Sequence, residues 1–244
     1  MVGSISSLSS QTGRGGRGTP PPIGRGGDDG HGDAFPHYPQ RLRRARLALF
    51  FVMAPIAMFF VIIAAAAITR RSTVTLDEQT NSYVRNWIPV QLPLTLLMVN
   101  TVLLLASSLT AELARRQIAR QAALSPVRSI PGVSLGKERE IPWLGLTVML
   151  GGTFLSGQWI AWRELARRGF YLSTSASSSF VYLLTVAHAV HLLGGMVVLL
   201  YAAALWVFRR PIDARRVVVD VTALYWHFMF VLWAGIFVFL WLAG

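Results

Sequence analysis

Apolar residues run almost uninterrupted through five stretches of the chain, approximately 47–68, 87–109, 141–162, 179–208 and 222–243. Each reaches the roughly 20 residues that carry a helix across a bilayer. The pattern predicts an all-α integral membrane protein with five transmembrane helices. Polar residues inside the runs are few. The first run holds Pro55, and the second opens near Trp87 and carries Asn100, Ser107 and Ser108. The third holds Gly145, Gly151, Gly152 and Gly157, small residues that let helices approach closely. Their helical spacing predicts one flat face buried against protein. In the fourth run, Thr185, His188, His191 and Gly195 fall within a wedge of about 120° at 100° per residue, a polar face suited to an interhelical contact. The fifth opens with Tyr225-Trp-His-Phe228 and continues through Trp233 and Trp241.

The intervening segments read as loops. Residues 69–86 form a short polar connection, and residues 117–140 form the longest one, basic and broken by Pro126 and Pro131. Residues 1–40 are set apart as a Gly/Pro/Arg-rich tail, and 41–244 as the membrane domain. The tail lacks the apolar core of a signal peptide and reads as a disordered cytoplasmic extension. Its Gly13-Arg-Gly-Gly-Arg-Gly18 is similar to RNA-binding RGG segments, but the membrane context favours Arg41, Arg43, Arg44 and Arg46 meeting anionic head groups. No nucleic-acid partner is expected.

Composition supports this reading. Of 244 residues 53% are hydrophobic and only 14% charged, against about 25% charged in soluble domains. The net charge of +12 arises from Lys and Arg in the tail and loops. Seventeen lie before the first run, between the second and third, and between the fourth and fifth, against 6 in the other two loops. The positive-inside bias places the N-terminus in the cytoplasm and the C-terminus outside, periplasmic or extracellular. With no cysteine, disulfides, thiolate metal sites and c-type haem attachment are excluded.

Three membrane histidines suggest a metal or haem site, because imidazole suits Cu, Fe and Zn. Depth opposes it. On the 1.5 Å rise, His191 lies about 25 Å from the cytoplasmic end of its helix and His227 about 10 Å from that side. An offset of roughly 15 Å on this rise far exceeds ligand bonds of about 2 Å. Adjacent turns of one helix also cannot supply two facing haem ligands. No Asp or Glu falls in the five helical cores, Glu112 and Asp220 being placed at helix ends, which argues against a proton pump. Ser107 and Ser108 have no histidine or acid nearby in sequence, so helix packing is their expected role. With no internal repeat, a small transporter or lipid-handling protein is also disfavoured.

Phe180-x-Tyr-Leu-Leu-Thr-x-x-His-x-x-His-x-x-Gly-Gly195 followed by Tyr225-Trp-His-Phe-x-x-x-x-Trp233 resembles subunit III of the haem-copper oxidases, in its short five-helix form. Leu92-Pro with Asn100-Thr101, and Leu150-Gly, Phe154 and Gly157-Gln158, add to the likeness, which covers about Arg41 to Gly244. The resemblance implies a non-redox subunit that packs on and stabilises catalytic subunit I, in a complex with subunit II, in the bacterial inner membrane. Haem and copper would reside in those partners and none in this chain, while structural phospholipid could bind. Thr185, His188, His191, Gly195, His227, Asn100 and Gln158 would be packing and hydrogen-bond residues. Trp226, Arg215 and Arg216 would lie at the inner lipid interface. The chain departs from the family pattern at Ile56, Ala161 and Phe230, where many members carry carboxylates. A quinol oxidase or nitric-oxide-reductase-associated subunit is an alternative reading, and a histidine-based metal or haem membrane enzyme is one of another class.

Overall fold

The computed structural model describes residues 38–77, 82–84, 90, 92–128, 142–208 and 212–243. The tail, Trp87 and the whole 129–141 connection, Pro131 included, lie outside them. The described elements are α1 (Tyr38–Ser72), β1 (Thr75–Asp77), β2 (Ser82–Val84), α2 (Leu94–Arg128), α3 (Trp143–Arg167), α4 (Ala176–Val207) and α5 (Ile212–Ala243). All five helices are long and apolar enough to cross a membrane.

Their ends differ from the apolar runs for local reasons. α2 begins only after Pro93, because prolines at 89 and 93 remove amide donors and restrict the residues before them. It then runs past its apolar stretch to Arg128, through Ala, Glu, Arg, Gln and Leu residues that favour helix. α5 likewise starts ten residues before the apolar run, at Ile212. Hydropathy marks the length that crosses lipid, while propensity and proline set where the helix stops. In the first connection, expected as a loop, Thr75–Asp77 and Ser82–Val84 pair as an antiparallel ribbon with Leu76 opposite Tyr83.

Consecutive helices alternate in direction. Arg46 of α1, Arg115 of α2 and Asp220 of α5 meet at one end, while Arg71 of α1 reaches the Leu242 carbonyl of α5 at the other. α5 is central, packing on α1, α2 and α4, while α3 packs on α2 and α4. The buried positions recur every seven residues: Leu97, Leu104, Ala111 and Ile118 on α2, Thr147, Phe154 and Ala161 on α3, and Val219, Trp226, Trp233 and Leu240 on α5. Such a repeat keeps one seam facing its neighbour when helices cross at about +20°. α1 buries few large side chains, Phe60 and Ile63 among them, and leaves Phe50, Phe51 and Met58 exposed.

The connection from α3 to α4 is tightly built. Gly169 takes a positive φ of 83° after α3. The Gly169 and Phe170 amides then donate back to the Ala166 and Leu165 carbonyls, closing the helix end. Ser175 and Ser178 form a reciprocal capping box at the start of α4.

The expected flat glycine face on α3 shrinks to two positions. Gly145 and Gly152 face open space or their own helix, whereas a Cβ at Gly157 would overlap the Asn100 side chain. A Cβ at Gly151 would lie 2.8 Å from the Trp226 ring. On α4, Gly195 receives the same indole, and a Cβ there would fall 2.8 Å from Tyr225 and 3.2 Å from Trp226. Its neighbour Gly194 meets nothing within 4 Å. This pair gives a matched test. Gly195→Ala should lower stability by about 1–3 kcal/mol through overpacking. Gly194→Ala should leave it unchanged or raise it by about 0.5–1 kcal/mol through helix propensity. Thermal unfolding in detergent micelles reads both, and equal effects would refute the packing argument.

Candidate functional site

The histidine face of α4 is spent on three different neighbours. Thr185 accepts a hydrogen bond from Trp162 Nε1 of α3 at 3.0 Å and donates to the Val181 carbonyl. His188 is wholly buried, tilted against Trp233 of α5 at 5.1 Å between ring centroids and edge-on to Phe154 of α3 at 6.0 Å. Neither ring nitrogen of His188 has a hydrogen-bond partner among the described residues. This departs from the expected hydrogen-bonding role, and the ring acts by packing. His191 Nδ1 donates to the Ala187 carbonyl at 2.7 Å, and its ring meets Phe60 of α1 at 5.8 Å. The His191 carbonyl accepts from Tyr225 Oη of α5. Gly195 makes room for Trp226, as above.

Asn100 and Gln158 are buried at the same level of the bundle, with Asn100 Nδ2 and Gln158 Oε1 unpartnered among the described residues. Beside Asn100, Thr101 accepts from Trp233 Nε1 at 3.0 Å.

His227 belongs to a different constellation. Its Nδ1 lies 2.5 Å from Ser108 Oγ and its Nε2 3.5 Å from Glu112 Oε2. A carboxylate only accepts, so the ring donates from Nε2 toward Glu112, and in that tautomer Nδ1 accepts from the serine hydroxyl. Glu112 is gripped by Arg115 Nε at 2.7 Å and Nη2 at 2.8 Å, and by Arg116 Nε at 2.8 Å. Arg115 Nη1 reaches Asp220 Oδ1 at 3.3 Å, and Arg46 clamps both oxygens of Asp220 at 2.8 and 2.9 Å. Charge-assisted bonds of this bidentate kind are the strong ones. They tie α1, α2 and α5 at one end.

Three sequence expectations are corrected here. Glu112 and Asp220 were placed at helix ends, yet both lie inside continuous helices, Leu94–Arg128 and Ile212–Ala243, because α2 and α5 outrun their apolar stretches. Ser108 does have a histidine and an acid beside it, the histidine contributed by α5 from 119 positions away. Trp226 is no lipid-interface residue. It is fully buried and donates to Ser107 Oγ at 3.0 Å, because Gly151 and Gly195 open a slot for its ring. Arg215 and Arg216 are half-buried on the first turns of α5.

Ser108, His227 and Glu112 follow the order of a nucleophile, a base and an orienting acid. The environment opposes that chemistry. Ser108 is 4% exposed, its amide lies inside a helix where it cannot form an oxyanion hole, and the Glu112 oxygens are committed to arginines. Among the described residues no cluster of three His, Asp or Glu could hold a metal ion.

Two stability tests follow. His188→Phe removes two unpartnered nitrogens, whose burial costs about 1–3 kcal/mol. Its thermal unfolding should match or exceed that of the native chain, and a loss above about 2 kcal/mol would mean that the nitrogens are bonded. Asp220→Ala strips Arg46 and Arg115 of a shared acceptor. Because Arg46 is 46% exposed and keeps access to water, the expected loss is about 1–3 kcal/mol. Double-mutant cycles with Arg46→Ala should show coupling, and strict additivity would dismiss the clamp.

No family model matches the chain. Individual relatives do. It is 27% identical over 154 residues to a probable cytochrome c oxidase subunit 3 of Nocardia farcinica, covering 62% of this chain and 69% of that protein. It is 31% identical over 159 residues to cytochrome c oxidase subunit 3 of Bacillus subtilis, covering 62% and 66%. It is 31% identical over 155 residues to cytochrome c oxidase subunit 3 of Synechocystis, covering 62% and 58%. The chain thus spans about two thirds or less of the length of most of these relatives. Five membrane-capable helices, the two histidine motifs on α4 and α5, and these relatives agree that the chain belongs to the haem-copper oxidase subunit III family.

Proposed function

We propose that this chain is a non-redox subunit of a bacterial respiratory oxidase that reduces oxygen, packing on and stabilising catalytic subunit I in a complex that includes subunit II. The observation that carries the reading is the set of relatives named cytochrome c oxidase subunit 3. The geometry supports a scaffold role. His188 and His191 serve α4's contacts with α1, α3 and α5, while His227 is held by Ser108 and Glu112 of α2. Haem and copper then belong to the partner subunits, and structural phospholipid covers apolar surface such as Phe50, Phe51 and Met58 of α1. In the plasma membrane, the end carrying Arg46, Arg115 and Arg116 faces the cytoplasm, as the positive-inside bias requires, and α5 ends outside.

A mild-detergent pull-down from native membranes, with mass spectrometry and an optical spectrum, tests this. The expected result is co-purification of a haem-bearing subunit I, with no Soret band on the isolated chain. A copper-binding domain in subunit II would assign cytochrome c as electron donor, and its absence would assign quinol or a nitric oxide branch. A stoichiometric Soret band on the chain alone, or a purified complex without a haem-copper subunit, would overturn the proposal.

A further inference from the structure

At the end of the bundle that carries the ion-pair network, a separate cavity of about 190 Å³ opens between α2, α3, α4 and α5. Its floor is apolar: Ala114, Ile118 and Val219 are buried there. Trp143 of α3 and Trp206 of α4 stand around it, and Gln117 and Gln121 enter from consecutive turns of α2. At 100° per residue, Gln117 and Gln121 lie on the flank of α2 roughly opposite Arg115, so the cavity is distinct from the Glu112–Asp220 network.

Three properties restrict what it can hold. The first is size. An apolar cavity of about 150 Å³ accepts a benzene ring, whereas drug-sized ligands need about 300–1,000 Å³. One substituted six-membered ring fits here, and a whole lipid does not. The second is polarity. Trp143, Leu144 and Gly145 line the cavity with the first turn of α3. No side chain caps that turn, and its first backbone bond runs only from the Leu146 amide to the Pro142 carbonyl. Amide N–H groups of that turn and the Gln117 side chain together offer donors to oxygens on a ring. The third is depth. The cavity residues Ala114 and Val219 are sequence neighbours of Arg115 and Asp220, so it lies at the charged end of the helices. At that depth an apolar floor beside hydrogen-bond donors suits a compact amphiphile whose acceptors sit on the ring itself.

We propose that this cavity binds the ring of a lipid-soluble, carbonyl-bearing compound of the quinone class, its tail leaving toward lipid past the exposed Trp206 and Val207. The assignment concerns binding alone and involves no electron transfer. It does not depend on which oxidase the chain serves.

The test uses the full chain in nanodiscs and duroquinone, a one-ring quinone, as the probe, with tryptophan fluorescence quenching as the readout. Saturable quenching is expected. Gly145→Leu should fill the cavity without a backbone clash, since a Cβ at Gly145 meets only Pro142 Cβ at 3.9 Å. It should raise the half-saturating concentration at least about tenfold. Gln117→Leu should raise it by about three- to tenfold. Durene, the same ring without oxygens, should compete at least about tenfold more weakly than duroquinone. Quenching that rises linearly without saturation would overturn the proposal. So would identical curves for the native chain and a Gly145→Leu variant with native helical content and melting, or equal competition by durene. Ala203→Phe, which enters the same cavity, replaces Gly145→Leu should the latter fail to fold, with the same expected loss and the same overturning result.

Discussion

The placement of Trp226 is the constraint on which the bundle depends. Within a bilayer the lipid tails are as apolar as the helix surfaces, so association relies on close packing and interhelical hydrogen bonds rather than on burial from water. Trp226 supplies both from the centre of α5. Its ring occupies the slot left by Gly151 of α3 and Gly195 of α4, and its Nε1 donates to Ser107 Oγ of α2. Ser107 in turn donates to the Thr147 carbonyl of α3 at 3.1 Å. One side chain therefore fixes the relative position of four helices. The glycines and the serine have little reason to occur where they do without that indole.

α1 is held by another means. It buries few side chains along its length, but it is tied at both ends, through Arg46 to Asp220 and through Arg71 to the Leu242 carbonyl. Both ties run to α5, so α1 follows the helix that Trp226 positions. The arrangement leaves most of α1 apolar and exposed, in keeping with a helix whose outer face meets lipid or another subunit.

The five spans were legible because apolar length is a property of the sequence alone, and the buried face of α4 was legible from helical spacing. The polar chemistry was less so. Ser108 and His227 are 119 positions apart, and only antiparallel packing of α2 on α5 brings them together. Glu112 looked peripheral because the apolar run ends before it, although Glu112 with Arg115 and Arg116 has the three- and four-residue spacing of a continuing helix. The seven-residue repeat of Leu97, Leu104, Ala111 and Ile118 carries the same information. Trp226 was misplaced for a converse reason. An aromatic near the start of an apolar run reads as an interfacial anchor, and only the facing glycines on two other helices show that it points inward.

The three positions where the resemblance implied carboxylates carry apolar side chains that fit the same packing. Ala161 is buried in the core, and Ile56 and Phe230 pack against it. An ionised group at any of these sites would need a partner to offset desolvation, and an apolar side chain has no such requirement. Two acids within the helices, Glu112 and Asp220, stand among Arg46, Arg115 and Arg116. With Glu112 and Asp220 held toward one end and Arg71 and Glu164 toward the other, the helix seams between Trp226 and Trp233 hold no Asp, Glu, Lys or Arg among the described residues, and close packing there needs no counter-ion. The five helices are thus held by close apolar packing, while Glu112 and Asp220 stand in ion pairs that join α1, α2 and α5.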